Sequence, residues 1–205
     1  MIFIFIAHRG NDNHEYKENS IDALIYCLNQ EYIDGVELDI RITFDNKIVI
    51  YHDMLYKLKS IKKTKYKYLK LDLLDKFLKK INSNKIILIE IKGENEDTKI
   101  LKYLYRILKK YNLNFYIFSF NYDLILKFKL KHKKYKCGLI VGNIINSCKN
   151  YDIFDFVAYK YTAYKKIDKP TFVWTINNIN QYSKYIKKDV FIITDKTYLW
   201  YNLSR

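Results

Sequence analysis

Nine runs rich in apolar, β-branched and aromatic residues punctuate the chain, at 2–7, 35–41, 47–51, 86–91, 114–118, 136–141, 154–158, 171–175 and 190–194. The loops between them constrain the fold more than any other feature. Most are separated by segments with helical periodicity, clearest in SIDALIYCLNQ (20–30), LDLLDKFLKKI (71–81), TKILKYLYRILKKY (98–111) and YDLILKFKLKHKKY (122–135). Ser20 is placed to cap the first of these helices, and Asn121 or Asp97 to cap later ones. Only TFDNK, by contrast, lies between the second run and the third. Parallel neighbours need a crossover of a dozen or more residues, so these two runs must form an antiparallel hairpin. Eight parallel candidates remain, the number that closes a (β/α)8 barrel. With 205 residues, the expected fold is an α/β chain of the TIM-barrel type, with short crossovers late in the chain and a β-hairpin extension after the second strand. An open doubly wound sheet would require a glycine-rich first turn, and IAHRGNDN (6–13) is not one.

The hairpin segment GVELDIRITFDNKIVIYHD (35–53) is unusual for a strand. Side chains alternate with period two, so Glu37 and Asp39 share a face about 7 Å apart at the backbone, and such a face is not ordinary core. If Asp45 and Asn46 form the two central turn positions, Phe44 faces Lys47 and Asp39 faces His52. Other strand ends are equally polar: His8, Arg9 and Gly10 follow the first run, Glu90 and Lys92 share a face in IILIEIKG (86–93), Ser119 and Phe120 end the fifth run, and Thr194 and Asp195 end the last. In a (β/α)8 barrel these carboxyl ends meet at one rim, where active sites are built.

Glu37, Asp39 and Glu90 offer hard oxygen ligands for one divalent cation, Mg²⁺ or Ca²⁺. Arg9 and Lys92 supply donors for a phosphate beside it. Imidazole serves as both acid and base near neutrality, so His8 and His52 can divide the proton transfers of a displacement at phosphorus.

Composition narrows the alternatives. No Pro-rich or Ser/Gly-rich run divides the chain, so residues 1–205 are expected to form a single domain. The net charge of +15 favours anionic partners but does not choose among phosphorylated metabolites, lipid headgroups and nucleic acid. A nucleic-acid or anionic-ligand binding module would share the charge and the tyrosines. It would leave metal-type carboxylates at separate strand ends unexplained, so no specific nucleic acid is expected. The basic run KLKSIKKTKYKYLK (57–70) lacks a long apolar helical face and reads as a solvated loop. The amino-terminal apolar run is too short to span a bilayer, so no transmembrane segment is expected. Cys27, Cys137 and Cys148 lack metal or redox spacing, which fits packing thiols in a reducing, cytoplasmic setting. The oligomeric state has no signature in the sequence.

The set AHRG (7–10), EN followed by Ser (18–20), GVELDIRITFDNKIVIYHD (35–53), EIKG (90–93), SF (119–120), FVWTINN (172–178) and IITD (192–195) resembles the glycerophosphodiester phosphodiesterase family, in the family's order and over nearly the whole chain. The resemblance implies a TIM barrel, a divalent metal on Glu37, Asp39 and Glu90, and His8 and His52 as general acid and base. It also implies phosphate contacts from Arg9 and Lys92, support of the first loop by Glu18, and Trp174 in the wall of the substrate cleft. The implied substrate is a small-molecule glycerophosphodiester, cleaved to glycerol 3-phosphate and an alcohol through attack of a glycerol hydroxyl on phosphorus. Related barrels that act on lysophospholipids as phospholipase D-like or cyclising enzymes use a similar histidine pair, which makes a lysophospholipid the alternative substrate. The chain departs from the family pattern in Lys17, where a proline is usual, and in YKLKSIKK (56–63), which replaces an arginine-threonine stretch. The glycine usual ahead of the last strand is also absent, and Lys196 and Thr197 stand where a proline-containing turn is common.

Overall fold

The computed structural model describes residues 4–12, 15–93, 98–142, 151–186 and 188–204. Eight parallel strands close into a barrel: β1 (Ile4–Ala7), β2 (Gly35–Ile42), β6 (Ile86–Ile91), β7 (Asn114–Ser119), β8 (Lys136–Val141), β9 (Phe156–Lys160), β10 (Thr171–Trp174) and β11 (Phe191–Thr194). Each pairs with its neighbours in sequence, and β1 closes the ring on both β11 and β2, through Ala7 opposite Thr194 and Val36. β3 (Ile48–Ile50) lies antiparallel on β2, as the short loop requires. The short strands β4 (Leu55–Tyr56) and β5 (Lys59–Ser60) form a separate small hairpin.

The four helices read from periodicity are present as α1 (Ile21–Leu28), α2 (Leu74–Lys79), α3 (Lys99–Leu108) and α4 (Tyr122–Lys131). Ser20 accepts a hydrogen bond from the Ala23 amide and Asn121 one from the Leu124 amide, so both caps form as expected. Asp97 and Cys148 lie outside the described residues. Two further helices, α5 (Ile179–Tyr185) and α6 (Thr197–Ser204), have too little apolar periodicity to stand out in the sequence. The crossover from β9 to β10 carries only a single 3₁₀ turn at Tyr161–Ala163, one of the economies that let a short chain close the barrel.

The strands sort their side chains by period two. Val36, Leu38 and Ile40 point outward with Ile87 and Ile89 into the layer packed under α1 to α4. Ile6, Leu88, Tyr116, Phe118, Ile140, Phe156, Phe172 and Ile193 fill the inside. Gly138 is required there: a Cβ would fall 2.3 Å from the Phe156 ring. Its absence admits a ring that packs on Tyr116 and Phe172 at 5.4 and 5.1 Å, and burying that ring contributes about 2–3 kcal/mol. The aromatic layer fills the lower barrel, where Lys136 Nζ donates to the Tyr116 hydroxyl, and the carboxylates lie toward the carboxyl-terminal rim.

The β2–β3 hairpin differs from its expected register by one step. Ile40 pairs with Ile50 and Ile42 with Ile48, so Thr43 faces Lys47 and the loop has three residues, Phe44–Asn46. Asn46 takes φ 62°, the left-handed position that ends such a loop, and Asp45 accepts hydrogen bonds from the Thr43 hydroxyl and the Tyr66 amide. Asp39 therefore receives the Tyr51 amide at its carbonyl, and His52 lies one residue beyond that contact. The segment 57–70 is likewise more ordered than a solvated loop: it contains β5, two 3₁₀ turns, and buried Ile61 and Leu69 packed on Val49.

Candidate active site

Period-two alternation brings Glu37 and Asp39 of β2 and Glu90 of β6 to the inner face near the rim, and parallel pairing sets Asp39 directly opposite Glu90. All three are buried, and one oxygen from each lies within 4.8 Å of the others. Three carboxylates so close need a cation. Lys92 Nζ takes that place, 2.6 Å from Glu90 Oε1 and 3.2 Å from Asp39 Oδ1. Arg9 Nε approaches Asp39 Oδ2 at 3.3 Å, and its backbone amide donates to Glu37 Oε2 at 3.0 Å. Yet Glu90 Oε1 and Arg9 Nε are buried without a hydrogen bond of good geometry, so the monovalent groups satisfy the cluster incompletely.

The charges divide unequally. Burial, reinforced by Asp39 and Glu90, pushes the Glu37 carboxyl well above the usual range, and burial with Asp39 alongside raises Glu90 to about 7. Asp39 goes the other way: burial alone would raise it, but Lys92, the Asn19 amide and Arg9 outweigh that and hold it low. This donor set fits a hard divalent cation: three buried carboxylates converge with one oxygen of each within 4.8 Å of the others, offset only by monovalent groups.

The loop after β1 is shaped to serve the cluster. Arg9 sits at φ 54°, and Glu18 Oε1 accepts from its Nη1 at 3.0 Å. Asn19, also at φ 54°, donates its side-chain amide to Asp39 Oδ2 at 2.8 Å and accepts the Asp39 amide at 3.1 Å. The EN pair thus fastens the first loop to β2.

Two imidazoles flank the carboxylates. His8 Nδ1 lies 2.8 Å from Asp195 Oδ1, and its Nε2 faces Glu37 Oε2 at 3.9 Å. Burial would raise Asp195, but its bonds to His8 and to the Asn177 amide hold it low, so it accepts and His8 carries its proton on Nδ1. His52 Nδ1 pairs in the same way with Asp53 Oδ1 at 2.8 Å, a bond that lowers Asp53. Arg41 fixes the His52 backbone with two bonds to its carbonyl at 2.9 and 2.7 Å. Both histidines line one cavity of about 190 Å³ with Arg9, Glu37, Glu90 and Lys92, walled by Phe120 and Trp174. Those two rings meet edge to face at 5.7 Å, and the Trp174 indole donates to the Ala158 carbonyl.

Of the residues expected at the site, His8, His52, Arg9, Lys92, Glu37, Glu90 and Trp174 line the cavity. Asp39 lies behind it in the carboxylate cluster and Glu18 behind Arg9. Sequence reasoning missed the parts played by Asn19, Arg41, Asp53, Asn177 and Asp195. Asp195 carried the signal of a strand-end carboxylate, but its tie to His8 spans nearly the whole chain and has no local pattern.

A closed barrel with an acidic, cation-ready cavity and two imidazoles at its carboxyl-terminal rim defines the class: an α/β barrel built for metal-assisted chemistry on an anionic substrate. At the level of the family, the chain matches the glycerophosphoryl diester phosphodiesterases, whose sequence model covers residues 8–76. The fold over the whole length is that of solved members. A glycerophosphodiester phosphodiesterase from Thermotoga maritima is 25% identical with a TM-score of 0.82, covering 99% of each chain. One from Parabacteroides distasonis is 23% identical with a TM-score of 0.84, covering 98% of this chain and 96% of that one. An Oleispira antarctica phosphodiesterase, solved in complex with the product sn-glycerol-3-phosphate, is 19% identical with a TM-score of 0.84, covering 97% of this chain and 95% of its own. A comparison with curated proteins finds no match.

Proposed function

We propose that the protein is a metal-dependent phosphodiesterase that hydrolyses glycerophosphodiesters to glycerol 3-phosphate and an alcohol. The observation that carries the reading is the gathering of three buried carboxylates and two aspartate-held imidazoles from separate strands in one cavity. The product-bound Oleispira relative, on the same fold, supports the substrate class. Because the contributing strands run from β1 to β11, the chain acts as one catalytic domain. Buried Cys27 and Cys137, neither joined in a disulfide, support a reducing, cytoplasmic setting. No helix among the described residues is long and apolar enough to cross a membrane.

Glu37, Asp39 and Glu90 would hold one Mg²⁺ or Ca²⁺, which supplies charge stabilisation at the phosphoryl oxygens and at the attacking hydroxyl. Lys92 and Arg9, which line the cavity beside the carboxylates, would supply donors to the phosphate. One histidine Nε2 takes the proton from the glycerol hydroxyl as it attacks phosphorus, and the other delivers a proton to the departing alcohol oxygen. The two exchange roles when water opens the cyclic phosphate. Phe120 and Trp174 give the cavity an apolar wall against which the substrate would pack. Purified protein should release glycerol 3-phosphate from glycerophosphocholine, lose that activity in chelator, and regain it with Mg²⁺ or Ca²⁺. No turnover on a panel of glycerophosphodiesters with either ion would overturn the reading.

The raised carboxyls make cation binding pH-dependent. Glu90 titrates at about 7 in the folded protein against an ordinary 4.5, so the folded state holds this proton more tightly than the unfolded one. Its contribution to stability is full below about 4.5 and is lost as pH rises through about 7. Asp39 and Asp195, held below their ordinary 3.8, act only in more acid solution and leave this window alone. Without divalent cation the melting temperature should fall between about pH 5 and about pH 8, and the cation should restore it. Cation affinity should rise with pH through about 7 as Glu90 ionises, with protons released on binding. Calorimetry in buffers of different ionisation enthalpy measures that release, and none at about pH 6 would contradict the assignment of Glu90 as a ligand.

A further inference from the structure

The hairpin β4–β5 breaks the chemistry of its own turn. Leu55 pairs with Ser60 and Tyr56 with Lys59, leaving Lys57 and Leu58 as the two central residues at φ 47° and 64°. A turn with both residues left-handed ordinarily takes Asn-Gly or Asp-Gly, because a side chain with a Cβ is strained there and a leucine especially so. Leu58 gains no burial in exchange. It is 94% exposed, the most exposed large apolar side chain among the described residues, and Met54 and Leu55 toward the base of the hairpin are also exposed, at 55% and 51%. A strained, solvent-facing leucine does nothing for the fold, and such outliers point toward function.

The hairpin is firmly rooted. Ile61 donates its amide to the Met54 carbonyl and is buried against Val49 and Leu69, while Tyr56 packs edge-on to Tyr51 at 5.7 Å. Its base adjoins the catalytic mouth, since Met54 shares a groove with Lys92 and Phe120. Between Asp53 and Asp72 the span from Met54 to Leu71 holds seven lysines and no acidic residue. Lys57, Lys59, Lys63 and Lys65 are all exposed.

An apolar tip with Lys57 and Lys59 on either side of it, on a lysine-rich segment, matches a surface with negative headgroups over hydrocarbon, where leucine enters the apolar layer and lysines stay at headgroup level. A second copy of a chain carrying +15 is repelled by the same lysines, and a nucleic-acid backbone has no use for Leu58. We infer that the β4–β5 hairpin docks the protein reversibly on an anionic lipid surface, with Leu58 as the inserted side chain and the active-site mouth beside the membrane. The attachment is peripheral and does not depend on the hydrolytic reading.

The test is co-sedimentation of the full chain with vesicles of phosphatidylcholine containing about a third phosphatidylglycerol, against vesicles of phosphatidylcholine alone. The protein should pellet with the anionic vesicles in a salt-sensitive manner and stay in solution with the neutral ones. Leu58→Asn should weaken that partition by about tenfold, the loss of one buried leucine. Lys57→Gln and Lys59→Gln should each weaken it about fivefold. Asparagine suits the left-handed turn better than leucine, so Leu58→Asn should melt at or above the temperature of the parent protein, which separates lost docking from lost folding. Failure to pellet with anionic vesicles at low salt would overturn the inference. So would partition unchanged in Leu58→Asn, or a single-stranded RNA that binds both proteins equally in place of the vesicles.

Discussion

Turnover of a glycerophosphodiester is expected to fall by about two to four orders of magnitude in His8→Ala, and separately in His52→Ala, the range of a positioned proton transfer. Each imidazole has its Nδ1 committed to an aspartate, at 2.8 Å in both cases. Each therefore presents Nε2 to the cavity in the tautomer that can take a proton, and returns it from the imidazolium. Cation affinity should be preserved in both alanine variants, since neither histidine belongs to the carboxylate cluster. An activated leaving group such as a nitrophenol needs no proton, so it should partly rescue whichever variant has lost the acid of the cleavage step. Asp195→Asn extends the test: an amide at that position can donate to Nδ1, favouring the wrong tautomer of His8 and lowering turnover while the cavity stays intact. Near-normal turnover in either alanine variant would remove that residue from the proposed chemistry.

Much of this arrangement was legible in the chain because its signals were local. The TFDNK loop forced a hairpin, eight runs remained for the barrel, and all eight pair in parallel. The ExD spacing in a strand placed two carboxylates on one face, and the barrel brought Glu90 to them. What escaped depended on single torsions or on distant partners. Asn46 at φ 62° lengthened the turn by one residue and moved the partner of Asp39 from His52 to Tyr51, while the His52 ring still reached the cavity. Position in a loop, rather than strand register, sets that ring, with Arg41 gripping the His52 carbonyl. The Asp195–His8 pair joins residues 187 apart in sequence, beyond any pattern of spacing. Leu58 was hidden for the opposite reason: in a lysine-rich run it read as an ordinary residue of a solvated loop, and only its backbone conformation and exposure single it out.

Glu37→Gln is expected to move cation affinity and fold stability in opposite directions, by amounts that separate a metal ligand from a structural charge. Removing a group that merely orients a ligand costs about 10- to 100-fold in metal affinity, so removing one of three ligating carboxylates should cost about 100-fold or more. Without the cation the balance reverses. Glu37 is buried beside Asp39 and Glu90, and burial and those two charges push its carboxyl well above the ordinary range, which means that its ionised form is disfavoured in the fold. The same sign rule applies as for Glu90: a raised carboxyl gives up stability as pH rises through its folded value. Glutamine keeps the shape and cannot ionise, and its side-chain oxygen can still accept from the Arg9 amide that bonds Glu37 at 3.0 Å. The cation-free Glu37→Gln protein should therefore melt higher than the parent in alkaline solution, where the parent's Glu37 is forced to ionise, with the gap closing in acid where Glu37 is protonated in both the folded and the unfolded parent. Titration of Mg²⁺ and Ca²⁺ by calorimetry, together with melting curves across that range in chelator, reads both effects. Unchanged cation affinity with a lower melting temperature at every pH would identify Glu37 as a structural charge and exclude it from the metal site.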